Sequence, residues 1–157
     1  MAVRHQLVRT PPDVVWSVLA DPTAYGRWVV GTAETEPCDG HWPEVGASLS
    51  FDVRLGPLTL SNRTVVRYSD PPRELGLEAH SGPLGTARIA LTVQPWGDDT
   101  LVVADEHPLR GAGGSLHNPL FEVLVQLRHR TMLGRLAKLC EDRHRRAGRA
   151  PAPAAPR

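Results

Sequence analysis

The sequence predicts an α+β domain in which a curved antiparallel β-sheet wraps around one long C-terminal α-helix, with two short helices after the first strand. Three observations carry this expectation. Between Leu49 and His107 apolar residues recur at every second position, in runs separated by short polar turns. From about Ser115 to Arg146 the period changes to that of a helix. Near the N-terminus, Thr10-Pro11-Pro12-Asp13 and Asp21-Pro22 each place proline where a helix starts.

Taken in order, Val3 to Val8 is a short strand. Thr10 is expected to cap the first short helix, whose buried stripe is Val14, Val15, Val18 and Leu19. The second helix runs from Asp21-Pro22 to about Arg27 and exits into Trp28-Val29-Val30-Gly31. Leu49, Phe51, Val53 and Leu55 then alternate with Ser48, Ser50, Asp52 and Arg54 in a half-buried strand. Leu58 to Tyr68 forms the next one. Leu75, Leu77 and Ala79 share a face of the third, and Ala87, Ile89, Leu91 and Val93 a face of the fourth. Gly97-Asp98-Asp99 turns the chain into Thr100 to His107. Such a meander has one apolar face to cover, and only the terminal helix is long enough to cover it.

That helix has two apolar rows. Phe121, Val125, Met132, Leu136 and Leu139 recur at helical steps, with Leu133 and Cys140 beside them. A second row, Leu116, Leu120, Leu124 and Leu127, continues only as Thr131, Arg135 and Lys138. The first half therefore needs two apolar neighbours and the second half one. A covering loop, a partner or a ligand cavity would supply the extra surface.

The 157 residues suit one domain with a real core, read as residues 1–146, followed by a disordered Ala/Pro/Arg tail at 147–157. A net charge of +1 gives no field that would favour nucleic acid. No apolar run reaches transmembrane length and no signal-peptide pattern opens the chain, so stable membrane insertion is not expected and the expected compartment is the cytoplasm. Cys38 and Cys140 lack the spacing of a metal or redox pair. No HExxH, CxxC, GxSxG or P-loop spacing occurs, and no metal, nucleotide or redox cofactor is expected.

The chain resembles the START-like, helix-grip superfamily (SRPBCC), in its polyketide cyclase/dehydrase-like branch. The residues that carry the resemblance begin with Pro12-Asp13-Val14-Val15-Trp16, Leu19-Ala20-Asp21-Pro22 and Trp28-Val29-Val30-Gly31. Trp42-Pro43-Glu44-Val45-Gly46, Pro71-Pro72-Arg73-Glu74-Leu75, Pro83-Leu84-Gly85, Glu106 and Asn118-Pro119-Leu120 complete them. The resemblance implies a cavity between sheet and long helix that takes lipids, polyketides or other apolar molecules. In some members that cavity catalyses cyclisation or dehydration.

The candidate ligand-binding residues follow from strand parity and the helix rows. Trp28 and Trp42 are expected at the mouth, where aromatic rings offer large contact area, or else as core plugs. Phe51, Val53, Leu77, Ile89 and Leu91 line the sheet side, and Leu116, Leu120, Phe121 and Leu124 the helix side. On the strand from Leu58, parity places Leu60, Asn62, Thr64, Val66 and Tyr68 inward unless a bulge swaps the sets. On the last strand Leu101, Val103, Asp105 and His107 compete almost evenly with Val102, Ala104 and Glu106. The resemblance favours Glu106 inward, where a carboxylate among apolar walls could act as general acid or base. Glu106 and His107 are the candidate catalytic residues; an edge ion pair and simple exposure are their plainer roles. The expected partner is a small hydrophobic molecule. A homodimer formed through the second helix row is a third reading.

Overall fold

In the computed structural model, residues 2–29, 32–55, 57–82, 85–110 and 119–149 are described; the side chains of 2, 32–34, 55, 58, 110 and 119–126 lie outside that description. The chain runs β1 (Ala2–Val8), α1 (Pro12–Leu19), α2 (Pro22–Trp28), β2 (Thr32–Asp39), β3 (Ser48–Leu55), β4 (Leu58–Asp70), β5 (Glu74–His80), β6 (Thr86–Trp96), β7 (Asp99–Arg110) and α3 (Pro119–Arg149). The strands form one seven-stranded sheet in the order β1-β7-β6-β5-β4-β3-β2, and every neighbouring pair is antiparallel. This is the helix-grip arrangement: a curved sheet with three helices packed on it. The helix α3 lies against β1, α1 and α2.

The two short helices start differently. Asp21 caps α2, its carboxylate accepting from the Thr23 amide at 3.0 Å and the Thr23 hydroxyl at 2.6 Å. At α1 the capping residue is Pro11 rather than the expected Thr10, and no side chain caps the helix. Thr10 is instead 1% exposed, and its carbonyl accepts from the Thr100 hydroxyl at 2.7 Å. That bond ties the end of β1 to the start of β7. On the other side, Arg143 of α3 donates to the Ser17 carbonyl at 2.8 Å and the Asp21 carboxylate at 2.7 Å, joining the long helix to both short ones.

Val15, Val18 and Leu19 of α1 and Leu136, Ala137 and Cys140 of α3 enter one core with Leu49, Val66, Leu75, Leu91 and Val102 from the sheet. Burial pushes the Cys140 thiol up to about 12, so it stays protonated and inert. The turn from β6 to β7 pairs Trp96 with Asp99 and puts Gly97 at φ 63, where a side chain would be strained.

Three features depart from expectation. The edge strand β2 has no period-two apolar pattern; Glu36, Pro37, Cys38 and Asp39 are all exposed, and Pro37 is tolerated because only β3 pairs with it. In β4 the register shifts between Val66 and Tyr68, and this bulge reverses the parity of the residues beyond it. Finally, α3 continues to Arg149, past the expected end of the domain at 146. Residues 150–157 lie outside the described residues.

Candidate functional site

Beneath α3, the strands β5, β6 and β7 leave a hollow of about 30 Å³, lined by Tyr25, Trp28, Leu77, Ile89, Leu91, Ala104, Glu106, His129, Met132 and Leu133. Each side chain arrives there for a local reason. Leu77, Ile89 and Leu91 come from the inward positions of adjacent paired strands, Leu77 opposite Ile89 and Leu75 opposite Leu91. Ile89 in turn pairs with Glu106, and Leu91 with Ala104. The near-tie of parity on β7 is thereby resolved: Val102 is fully buried, while Ala104 and Glu106 line the hollow on the same face. On the helix, His129, Met132 and Leu133 are spaced three to four residues apart and face the sheet together.

The polar centre of this hollow is a contact between the Glu106 carboxylate and His129 Nε2. The His129 side chain is 8% exposed and that of Glu106 23%. A carboxylate only accepts, so Nε2 carries the hydrogen and the ring is oriented by the pair. His129 Nδ1 is buried without a hydrogen-bond partner among the described residues, and so is the indole nitrogen of Trp28.

An aromatic group closes the side toward α2. Tyr25 meets Trp28 edge-on at 5.3 Å, Trp42 edge-on at 5.6 Å and Phe51 tilted at 5.6 Å. The Tyr25 hydroxyl and the Thr64 hydroxyl share a 3.1 Å hydrogen bond. Burial raises the Tyr25 phenol above its ordinary range, more than the bond from Thr64 lowers it, so the phenol stays neutral.

Of the residues expected at the site, Trp28, Leu77, Ile89, Leu91 and Glu106 line the hollow. Others form the packed ground around it. Phe51 and Val66 belong to the core, and Val53 packs against it. Thr64 holds Tyr25, and Leu60 is half-buried beside Asn62, whose amide donates back to the Leu60 carbonyl at 2.9 Å. Trp42 is a plug rather than a mouth residue: its indole N–H donates to the Leu19 carbonyl at 2.9 Å. Two expectations are corrected. Tyr68, beyond the bulge, is 49% exposed. It stands on the outer face over Gly76, where an added Cβ would come within 3.0 Å of its own. His107 alternates away from Glu106 and meets the Asp105 carboxylate at 3.1 Å instead. Leu116 lies outside the described residues, as do the side chains of Leu120, Phe121 and Leu124.

Sequence reasoning missed Tyr25 and His129. His129 had a signal: it sits four residues after Val125 and three before Met132, within the apolar row of α3. A histidine there needs a partner on the covered face, and Glu106 is that partner.

A second cleft of about 270 Å³ lies between the short helices and the end of α3, lined by Val18, Ala24, Arg27, Leu139, Asp142, Arg143 and Arg146. Arg143 is committed to Asp21 and Asp142 pairs with Arg145. Among the described residues no group of three or more His, Cys, Asp or Glu side chains stands together to hold a metal ion. No helix among them is long and apolar enough to cross a membrane.

A family model described as polyketide cyclase / dehydrase and lipid transport matches residues 2–141. Among solved structures, the chain is similar to the Zhui aromatase/cyclase from Streptomyces sp. R1128, with a TM-score of 0.69, 19% identity, and 94% of this chain and 96% of that one covered. It is also similar to Ara h 8.0201, with a TM-score of 0.73, 8% identity, and 90% and 97% covered. TTHA0849 from Thermus thermophilus gives a TM-score of 0.69 at 14% identity, covering 90% and 97%. At these identities the likeness is one of fold. No curated protein matches the chain by sequence.

Proposed function

Since the chain belongs to the polyketide cyclase/dehydrase and lipid transport family, we propose that it binds a small hydrophobic molecule, lipid- or polyketide-like, between the sheet and α3. The observation that carries this reading is the hollow itself. Its walls are mainly aliphatic and aromatic, and its polar groups are few and lie together, which is the usual composition of a small-molecule site.

The size of the hollow sets a condition. About 30 Å³ holds a water or two, whereas ligand sites commonly run to several hundred Å³. A ligand therefore enters by repacking the wall. Met132 suits that role, because its unbranched thioether chain adapts to an irregular neighbour.

Native mass spectrometry of protein purified from its source tests the reading. A retained organic molecule of a few hundred daltons is expected. A protein that retains none, and also takes up none from a panel of lipids and aromatic polyketides, sinks it.

The Glu106–His129 pair favours a second reading, a cofactor-independent cyclase or dehydratase working in the same space. A hydrogen-bonded carboxylate and imidazole, largely shielded from water, could move a proton at an enolisable carbon. Turnover of a poly-β-ketone that disappears in Glu106→Gln while affinity persists would decide for the enzyme. Loss of affinity alone decides for the carrier.

A further inference from the structure

The hollow beneath α3 is apolar in its walls but incomplete in its hydrogen bonding, and the incompleteness has a definite chemistry. Tyr25, Trp28, Glu106 and His129 are the polar side chains that line it. Two of them are accounted for. The Tyr25 hydroxyl is bonded to Thr64, and Glu106 to His129 Nε2. The other two polar atoms, Trp28 Nε1 and His129 Nδ1, have no hydrogen-bond partner among the described residues. Trp28 is 3% exposed and His129 7%, so bulk water does not satisfy them. Buried polar atoms left unpaired are uncommon and costly, and in native proteins they commonly mark a missing water or ligand.

The two atoms are not equivalent. An indole N–H only donates. In the tautomer that donates its Nε2 hydrogen to the Glu106 carboxylate, the ring's lone pair is at Nδ1, which accepts. One donor and one acceptor on the wall of a single hollow complement a group that both accepts and donates. A hydroxyl does this with one oxygen. A ketone, an ether or a plain hydrocarbon does not.

We infer that the hollow selects a ligand carrying a hydroxyl on an apolar, aromatic-sized body: a phenol, an enol or an alcohol of that shape. Its oxygen accepts from Trp28 Nε1 and its hydrogen is donated to His129 Nδ1. This rests on the proposed binding function and names the ligand class for that site. The Glu106–His129 contact is then a positioning device, setting which ring nitrogen is left to accept.

Three probes of nearly one shape separate the contributions: 2-naphthol, which donates and accepts, 2-methoxynaphthalene, which only accepts, and naphthalene, which does neither. By titration calorimetry the expected affinity order is naphthol, methoxynaphthalene, naphthalene, with roughly three- to tenfold per step, the usual net worth of one hydrogen bond. Trp28→Phe keeps the ring and removes the donor. It should close the gap between methoxynaphthalene and naphthalene while leaving naphthol ahead. His129→Leu removes the acceptor but strands Glu106, so the double variant Glu106→Leu, His129→Leu accompanies it. In the double variant naphthol should lose its lead over methoxynaphthalene. If all three probes bind wild-type protein equally, a water satisfies the two atoms and the hydroxyl inference is overturned while the binding reading stands. A hydroxyl preference that survives unchanged in both Trp28→Phe and the double variant overturns it too. If no probe binds, the hydroxyl inference is overturned, and the binding reading is decided separately by the retained-ligand and lipid and polyketide uptake measurements.

Discussion

The helix α3 meets the rest of the molecule in two different ways along its length. On its face toward β1 and α1, at Leu136, Ala137 and Cys140, it is close-packed. Leu136 and Cys140 are fully buried, Ala137 is 6% exposed, and they share a core with Val8, Val15, Val18 and Val102. One helical turn earlier, the same helix presents Met132 and His129 to β6 and β7 across a hollow, with a carboxylate–imidazole pair at its centre. Sheet and helix are continuous through both regions. The difference lies in which residues occupy the facing positions. The packed half supplies the stability that lets the other half remain underfilled and keep polar atoms unpaired.

Substitution can break that contrast, and the largest effect is expected on the close-packed face. Leu136→Ala should cost about 3 kcal/mol, since the site is closed on all sides and cannot collapse. Met132→Ala, beside an existing void, should cost about 1 kcal/mol. Urea unfolding of the two variants measures the difference. Equal losses would mean that both halves are packed alike.

A medium effect should separate the pair at the centre of the hollow from its members. Glu106→Leu alone leaves His129 Nε2 without a partner and should cost about 2 kcal/mol. Adding His129→Leu removes the stranded group and should restore most of that loss, which a double-mutant cycle reads directly. If the double variant is no more stable than the single, the pair is not coupled across the hollow.

The smallest effect belongs at the rim of the packed half. Burial works to raise the Asp21 carboxyl, but hydrogen bonds from Thr23 and from Arg143 outweigh it and hold the group below its ordinary value. A depressed carboxyl stabilises the fold at neutral pH and loses that contribution as pH falls through the folded-state pKa. Asp21→Ala should therefore cost about 1 kcal/mol at pH 7, the usual worth of a helix cap. The gap from wild type should narrow as the pH is lowered below about 4. A gap that stays constant into acid would remove the charge from the explanation.

The packed half was readable in the sequence because burial there follows period. Val15, Val18 and Leu19, Leu75 and Leu77, and Leu136 with Cys140 each repeat at the spacing of their element. The strand β2 was not readable: an edge strand exposed on most of its length needs no apolar alternation, so Thr32–Asp39 looks like loop. Tyr68 was misplaced because a bulge is a backbone event with no residue-level signature here. The direction of Glu106 came from resemblance, since the two parities of β7 are almost equally apolar. His129 was visible as a break in an apolar row, but its partner lies 23 positions away on another element. The volume of the hollow depends on how side chains from five elements meet, and no local pattern encodes it.

The order of strands carries a consequence for how the chain comes to be folded. β1 sits at the sheet edge with β7 as its only strand neighbour, so Val3 finds its place opposite Asp105. During synthesis the first strand must wait, unpaired, until nearly all the others have left the ribosome. Such a long-range closure is slow for entropic reasons. The exposed Val3 and Leu7 that β1 carries are then an apolar strand open to wrong pairing until β7 arrives.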